Sequence, residues 1–466
     1  MAAALLTDDQ RAAADRLVSS LPDWGRIYTV AEQQERTKAL KEAHRYEVQV
    51  EEIGRSREGR PIEAITVGRG RMRVLLLGFP HPDEGVGALM ADHILKAAVE
   101  RPEVLRHFDA RLVVVKCWDI DGAALNEGWF AGAATLEQQA KTHFRPPPAM
   151  QMEWTFPIEY KAHRWEQVPP ETEAVRRLID RERPHLLFGL HNAAFNDPYF
   201  YLSREAPEAY GALGEAVSAE RMALSDRSPD VPFEKAMAPG IFRMYGLREY
   251  YDYFEKFAPD RLKHLKRGAC SDEYLAATVP HSFSFNAEVP RAVDRRLRGR
   301  TSTARELRQV VMARMFQQRA EMKRLDEAVS PLIERRGTEG SLILESVRQH
   351  IEEARARAGD STNEVASDPQ YGRPATVADV FENEVVGPFE DMLVLGEGWR
   401  AATQYLALGE EPAKKAQVAL SARIAGLSAV IKGKSKFEPV PLKRSAGVQL
   451  RALVAMMGWR LNVMGV

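Results

Sequence analysis

Four short apolar runs constrain this chain more than any other feature: MRVLLLGF (72–79), RLVVVKCW (111–118), HLLFGLH (185–191) and SFSFNAEV (282–289). They are too short for buried helices, and their β-branched and aromatic content suits strands. Stretches of helical period separate them, among them GALMADHILKAAVE (87–100) and residues 171–182. Runs that are apolar throughout, rather than at alternate positions, belong to strands covered on both faces. The pattern predicts an α/β fold with a mixed, mostly parallel central sheet and helices on both faces. YEVQVEEI (46–53) and IEAITVG (62–68) flank the turn GRSREGRP and predict an antiparallel edge.

The rhythm changes along the chain. Residues 1–45 read as an N-terminal helical segment, with Thr7 and Asp8 as helix caps. Residues 46–325 hold the strand runs and form the expected catalytic domain. Beyond them, residues 303–335, 340–358, 376–407 and 411–432 carry Ala, Leu, Glu, Arg and Lys at helical spacing. Residues 326–466 are therefore expected to be an all-helical C-terminal domain, with 358–374 as a polar loop between helices.

Charge and cysteine content narrow the function classes. Lys and Arg total 65 against 66 Asp and Glu. Such a balance offers no electrostatic footprint for nucleic acid or an anionic membrane. The two cysteines, Cys117 and Cys270, make neither a disulfide framework nor a Cys-rich zinc module and fit a reducing compartment. No apolar stretch approaches the roughly 18 residues of a membrane span, and no secretory signal is apparent. A cytoplasmic protein is expected.

Each apolar run ends in chemistry. In open α/β sheets, ligands bind beyond the carboxyl ends of the strands. His81 and Glu84 follow the first run; Asp119, Asp121 and then Asn126 follow the second; His191 and Asn192 follow the third; Glu288 ends the fourth. Two neutral imidazoles and one carboxylate make a three-ligand zinc site of the catalytic type, with a position open to water. Zinc lowers the pKa of such a water to roughly 7 and polarises a carbonyl. A carboxylate free of the metal can take the water's proton and pass it to a leaving amine. Glu288 is the candidate for that base.

HPDE (81–84), GLHNAA (189–194) and FSFNAEVP (283–290) form an ordered series that resembles the M14 zinc carboxypeptidases. IGRSREGRPIEAITVG (53–68), DIDGAALNEGWF (119–130) and GACSDEYL (268–275) agree with it, so the likeness runs over roughly residues 25–320. The resemblance implies one zinc per chain held by His81, Glu84 and His191, with Glu288 as general base. It implies cleavage of a peptide or amide bond in a small substrate, with Asn126 helping to place it.

The series also departs from the family. Where family members carry an arginine after this Asn to hold a substrate carboxylate, Glu127 follows Asn126. Asp83 stands where digestive members carry another arginine, and only Ala-Ala-Leu separates Gly122 from Asn126. An anion at Glu127 would oppose an α-carboxylate by several kcal/mol in a dry site. Glu127 is thus expected to bind a substrate ammonium, with Arg243, Arg248 and Arg291 as replacement clamps. The tyrosine that closes the site in the family has no clear match: His264 falls near its place, and Tyr250, Tyr251 and Tyr253, slightly upstream, are the candidates to serve instead. The rivals to a carboxypeptidase with a relocated clamp are an amidase or deacylase acting on a small cationic substrate, and a catalytically silent binding module. The helical region would cap the cleft, bind a partner or make a homo-oligomer.

Overall fold

The structure, a computed structural model, describes residues 5–132, 135–227, 230–357 and 361–464. Nine strands form the main sheet: β1 (Val48–Arg55), β2 (Pro61–Gly68), β3 (Met72–Gly78), β4 (Ala110–Val115), β5 (Leu186–Leu190), β6 (Tyr199–Leu202), β7 (Ala236–Ala238), β8 (Ile241–Arg243) and β9 (Phe283–Glu288). Their order is β1-β2-β4-β3-β5-β9-β6-β8-β7. The four expected runs, β4, β3, β5 and β9, lie side by side and parallel at the centre. The flanks add antiparallel pairs, with β1 and β2 forming the predicted edge. The sheet is mixed, and its parallel character is concentrated where burial on both faces demands it.

The helices used below are α1 (Asp8–Ser19), α2 (Val30–Ala43), α3 (Val86–Glu100), α4 (Ile120–Phe130), α5 (Leu136–Thr142), α6 (Pro170–Glu182), α7 (Pro207–Ala219), α8 (Ser271–Thr278), α9 (Leu307–Arg336), α10 (Leu342–Ala356), α11 (Gly387–Ala407), α12 (Pro412–Lys434) and α13 (Leu442–Met464). On one sheet face, Val74, Leu76, Phe188 and Phe285 meet Leu17 of α1, Ile94 of α3 and Leu213 of α7. On the other, Leu75, Leu77, Val113 and Leu187 meet Val175 and Leu178 of α6 and Leu275 of α8.

The boundaries expected at 45 and 326 are not boundaries in space. α1 buries Ala14 and Leu17 in the first face. α9 runs through residue 326 as one helix. The final helix, α13, returns to the sheet and buries Val448, Leu453, Met457 and Trp459 on the first face. Its Trp459 ring lies 4.5 Å from that of Phe283. The remaining C-terminal helices have a core of their own, including Leu325, Val347, Leu395 and Leu420, but Ala140 of α5 and Phe144 belong to it as well. A side chain at Gly396 of α11 would meet the backbone oxygen of Ala140 at 1.9 Å, so glycine lets α11 press directly on α5. Within the loop expected at 358–374, residues 358–360 lie outside the described residues, and Ser361–Ser367 is a helix. Val365 and Tyr371 hold that segment against Leu307 and Val310 of α9.

Candidate metal centre

The site begins with a turn. β3 ends at Gly78, and the buried Phe79 adopts φ +48°. That left-handed conformation costs of order 1–3 kcal/mol for a bulky residue. It turns the chain at the strand tip, just before His81 and Glu84. Both are buried, as is His191 at the tip of the adjacent parallel strand β5. Nδ1 of His81 lies 2.9 Å from Oε1 of Glu84, and Nδ1 of His191 lies 2.9 Å from Oε2. The ligand atoms of the three residues all lie within 4.8 Å of one another. The backbone N–H of Asn192 also donates to Glu84 Oε2, at 3.2 Å. Glu288, at the tip of β9, places Oε1 3.8 Å from His191 Nδ1. The four residues marked by the strand tips are brought together.

The electrostatics suit a cation. Burial lowers the His81 imidazole to about 4, with Arg145 adding to the effect, so the ring is neutral and its lone pair is available. Burial works against ionised Glu84, but His81, His191 and Arg145 outweigh it and hold the carboxyl well below its ordinary range. Burial also disfavours a charged His191, yet Glu288 and Glu84 prevail and lift it to about 9. Burial pushes Glu288 up to about 8 against the pull of His191, with Glu84 and Asp230 pushing the same way. A protonated His191 thus offsets the Glu84 carboxylate, a task a divalent ion performs at the same point. Atoms sharing a zinc at about 2.0–2.2 Å stand roughly 3.3–3.6 Å apart in a tetrahedron. The observed 2.9 Å contacts therefore need open only by tenths of an ångström. The donor set fits a metal of the zinc type. Nε2 of both histidines is buried without a hydrogen-bond partner. Metal-bound histidines usually donate from that second nitrogen, so backbone packing has to orient these rings.

The other residues at the strand tips belong to the scaffold. Asp119 caps α4, accepting from Gly122 N at 3.0 Å. Asp121 accepts from Ser56 Oγ at 2.7 Å and Glu58 N at 2.9 Å. Asn126, expected beside the substrate, is fully buried. Its Nδ2 donates to the carbonyls of Pro82, Gly122 and Phe144, and its Oδ1 accepts from Trp129 Nε1 and Phe144 N. Nothing remains for a ligand: Asn126 ties the loop of His81 to the segment of Arg145. Glu127, expected to meet a substrate ammonium, accepts from Val30 N at 2.8 Å. An acid there satisfies the open N–H groups at the start of α2.

The arginine candidates separate. Arg291 lies over the Trp129 ring at 4.1 Å. Burial lowers it to about 10, against the pull of Asp83 and Glu84, so it belongs beside the centre. Arg243 and Arg248 line a different cavity. The tyrosine candidates also lie elsewhere: Tyr253 donates to Asp368 at 2.7 Å, Tyr251 meets Tyr160 edge-on, and Tyr250 lies against Phe254. His264 is exposed.

Two features of the site had no advance mark. Arg145 donates from Nη1 to Glu84 Oε1 at 2.8 Å and to Asp83 Oδ1 at 3.0 Å. Its backbone N–H donates to Glu397 of α11 at 2.8 Å. The only sequence signal was an arginine leading into three prolines, a stretch that cannot be helical. Tyr199, paired opposite Glu288 across β6 and β9, donates to Asp230 at 3.1 Å, and Tyr201 donates to the same oxygen at 2.7 Å.

No family model and no curated protein matches this chain. Similar solved structures include a candidate metallopeptidase from Shewanella amazonensis (12% identity, TM-score 0.39), covering 56% of this chain and 84% of that one. They include a carboxypeptidase A from Helicoverpa armigera (15%, TM-score 0.37), covering 61% and 72%. They also include a metallo-carboxypeptidase from Burkholderia cenocepacia (18%, TM-score 0.34), covering 55% and 60%, so this chain spans three fifths of that relative's length.

Proposed function

We propose that this protein is a metal-dependent hydrolase of peptide or amide bonds, with zinc as the metal its ligands suit. One observation carries the reading: two imidazole Nδ1 atoms and one carboxylate converge in a buried group, and a second buried carboxylate, on Glu288, stands 3.8 Å from one of those nitrogens. Bound there, zinc polarises a carbonyl and brings the pKa of water to roughly 7.

The residues of the chain supply the rest. His81, Glu84 and His191 fix the ion. Glu288 accepts the proton of the attacking water at a carboxylate oxygen and delivers it to the nitrogen of the leaving amine. Arg291 makes no side-chain ion pair among the described residues and is the guanidinium free to take an anionic substrate group, with a geometry suited to a carboxylate. Arg145 is already engaged with Glu84 and Asp83 and orders that loop.

A second reading, an amidase or deacylase acting on a cationic substrate, draws on Asp230 with its two tyrosine donors near Glu288. The first experiment is metal content by mass spectrometry on the purified protein and on His81→Ala. About one zinc per chain, lost in the variant, is expected. A metal-free wild type that takes up no added zinc would leave a binding module in place of an enzyme. Arg291→Gln then separates the two enzyme readings. A rise in KM for peptides with a free C-terminal carboxylate, but not for their amides, supports the carboxypeptidase. An equal effect on both supports the amidase.

A further inference from the structure

A cavity of about 360 Å³ lies near the start of β9, lined in part by Ser203, Arg204, Arg243, Asp272, Ser282 and Ser284. Glu288 is four residues further along the same strand, roughly 13 Å away at about 3.3 Å per residue. The cavity is therefore separate from the metal centre, although β9 runs between them.

Arg248 pairs with Glu273 at 3.9 Å, whereas the other charges around the cavity make no direct ion pair with one another. Arg204 is half-buried; it donates from Nη1 to the Ser282 carbonyl at 2.6 Å and lies over the Phe283 ring at 4.9 Å. Arg243 makes no side-chain hydrogen bond among the described residues, and neither guanidinium forms an ion pair with a carboxylate. Burial lowers the pKa of Arg204; Asp272 pulls it back up, and the neighbouring Arg243 cation pushes it down. The two guanidiniums and the Asp272 carboxyl thus act on one another across the cavity without a direct ion pair. Asp272 accepts from Ser284 Oγ and makes no direct ion pair; burial raises its carboxyl to about 6, against that hydrogen bond and the charges of Arg243 and Arg204. The other two acids of the cavity are engaged by backbone. Glu249 accepts from Gly246 N, and Glu273 accepts from the N–H groups of Leu247, Arg248 and Cys270. The cavity is thus lined by Arg243, by Arg204 with one hydrogen bond to a backbone carbonyl, and by one carboxylate that pairs directly with neither.

Opposite charges that share a cavity without pairing can be bridged by a molecule that carries both. We propose that this cavity binds a free α-amino acid, its carboxylate on Arg204 and Arg243 and its ammonium on Asp272. A guanidinium pair suits a carboxylate. Asp272 opposes a simple anion, which distinguishes this from a phosphate site, and the volume leaves room for a side chain. The inference does not depend on the proposed hydrolysis, although cleavage at a peptide end would release such a molecule.

Isothermal titration of the purified full chain with each standard L-amino acid tests it. Acetate, methylamine and inorganic phosphate serve as probes carrying a single kind of charge. Saturable binding of at least one amino acid is expected, lost for its N-acetyl and amide derivatives. Arg243→Gln, at an exposed side chain, is expected to weaken it about ten- to hundredfold, the effect of losing one charge-assisted partner. Asp272→Asn is expected to do the same, while His81→Ala retains binding. The proposal is overturned if no amino acid binds, if phosphate binds as tightly, or if binding survives Arg243→Gln and disappears in His81→Ala.

Discussion

The side-chain amide of Gln449, on the last helix of the chain, donates from Nε2 to the backbone carbonyl of His191 at 3.0 Å. The same nitrogen stands 3.5 Å from the carbonyl of Ala287, next to Glu288. One buried amide thus touches the backbone of a candidate metal ligand and that of the residue preceding the candidate base. Because Nε2 of His191 has no partner of its own, the orientation of that ring rests on its backbone. Gln449→Met keeps most of the volume and removes the donor. Its expected effect is a metal affinity lower by about tenfold or more, the size of loss seen when a supporting hydrogen bond of a metal site is removed. The cost in stability should be small, because Gln449 Oε1 is itself buried and unpartnered. Competition with a zinc-buffering chelator measures the first and urea unfolding the second. Unchanged affinity would show that α13 only covers the sheet.

Gly189 precedes His191 by two residues on β5. A Cβ at this position would stand 2.3 Å from Asn286 Oδ1 and 3.0 Å from His191 Cδ2. Both neighbours are near the site, because Asn286 shares its side of β9 with Glu288. Gly189→Ala should cost about 1–3 kcal/mol as an overpacked core position and should displace the His191 ring. Metal stoichiometry well below that of the wild type, in a protein that still melts cooperatively, is the expected result. A fully loaded Gly189→Ala protein would mean that Asn286 moves aside and the ring does not.

The contrast between these residues and the marked ones shows what a sequence can carry. β3, β4 and β5 were legible because burial on both faces leaves an unbroken apolar run, and β9 because Phe283, Phe285 and Ala287 alternate with polar residues. His81, Glu84, His191 and Glu288 were legible because polar residues at the ends of such runs share one edge of a parallel sheet. Asn126 and Glu127 looked the same by position, yet each is consumed by backbone from a segment that sequence cannot place nearby: Phe144 for one, Val30 for the other. Arg145 was silent because its backbone is held by Glu397, 252 residues away, and its side chain by Asp83 and Glu84, 62 and 61 residues back. The apolar run in RALVAMMGW (451–459) did hint that α13 was more than surface, since a helix apolar on most sides is a buried one.

Glu397 ties α11 to the site and titrates in an accessible range. It is buried, accepts from Arg145 N at 2.8 Å and Ser346 Oγ at 2.7 Å, and faces Arg400, Asp83 and His350. Burial raises it from an ordinary 4.5 to about 7, against those hydrogen bonds and Arg400. A raised acid holds its proton more tightly when folded. Its contribution is therefore most favourable below pH 4.5 and is lost as pH rises through about 7. The span corresponds to about 3 kcal/mol at most. Glu397→Gln removes the ionisation and keeps an acceptor. Unfolding free energies measured from pH 5 to 8 should fall less steeply in the variant than in the wild type. Parallel curves would mean that Glu397 ionises freely and that solvent reaches it.

Glu288 and His81 sit in one buried group but should fail differently. Glu288 is the carboxylate outside the three-ligand cluster. Glu288→Gln preserves its size and removes its capacity to accept a proton. The variant should keep its full complement of metal and lose activity by about 10²–10⁴-fold, the range for removing a general base. His81→Ala removes a ligand and should lose metal and activity together. Measuring zinc per chain and turnover on the same preparations separates the two roles. If Glu288→Gln also loses its metal, Glu288 is a fourth ligand. The proton would then have to be moved by another group, and Tyr199, opposite Glu288 in the ladder, would be the next side chain to change.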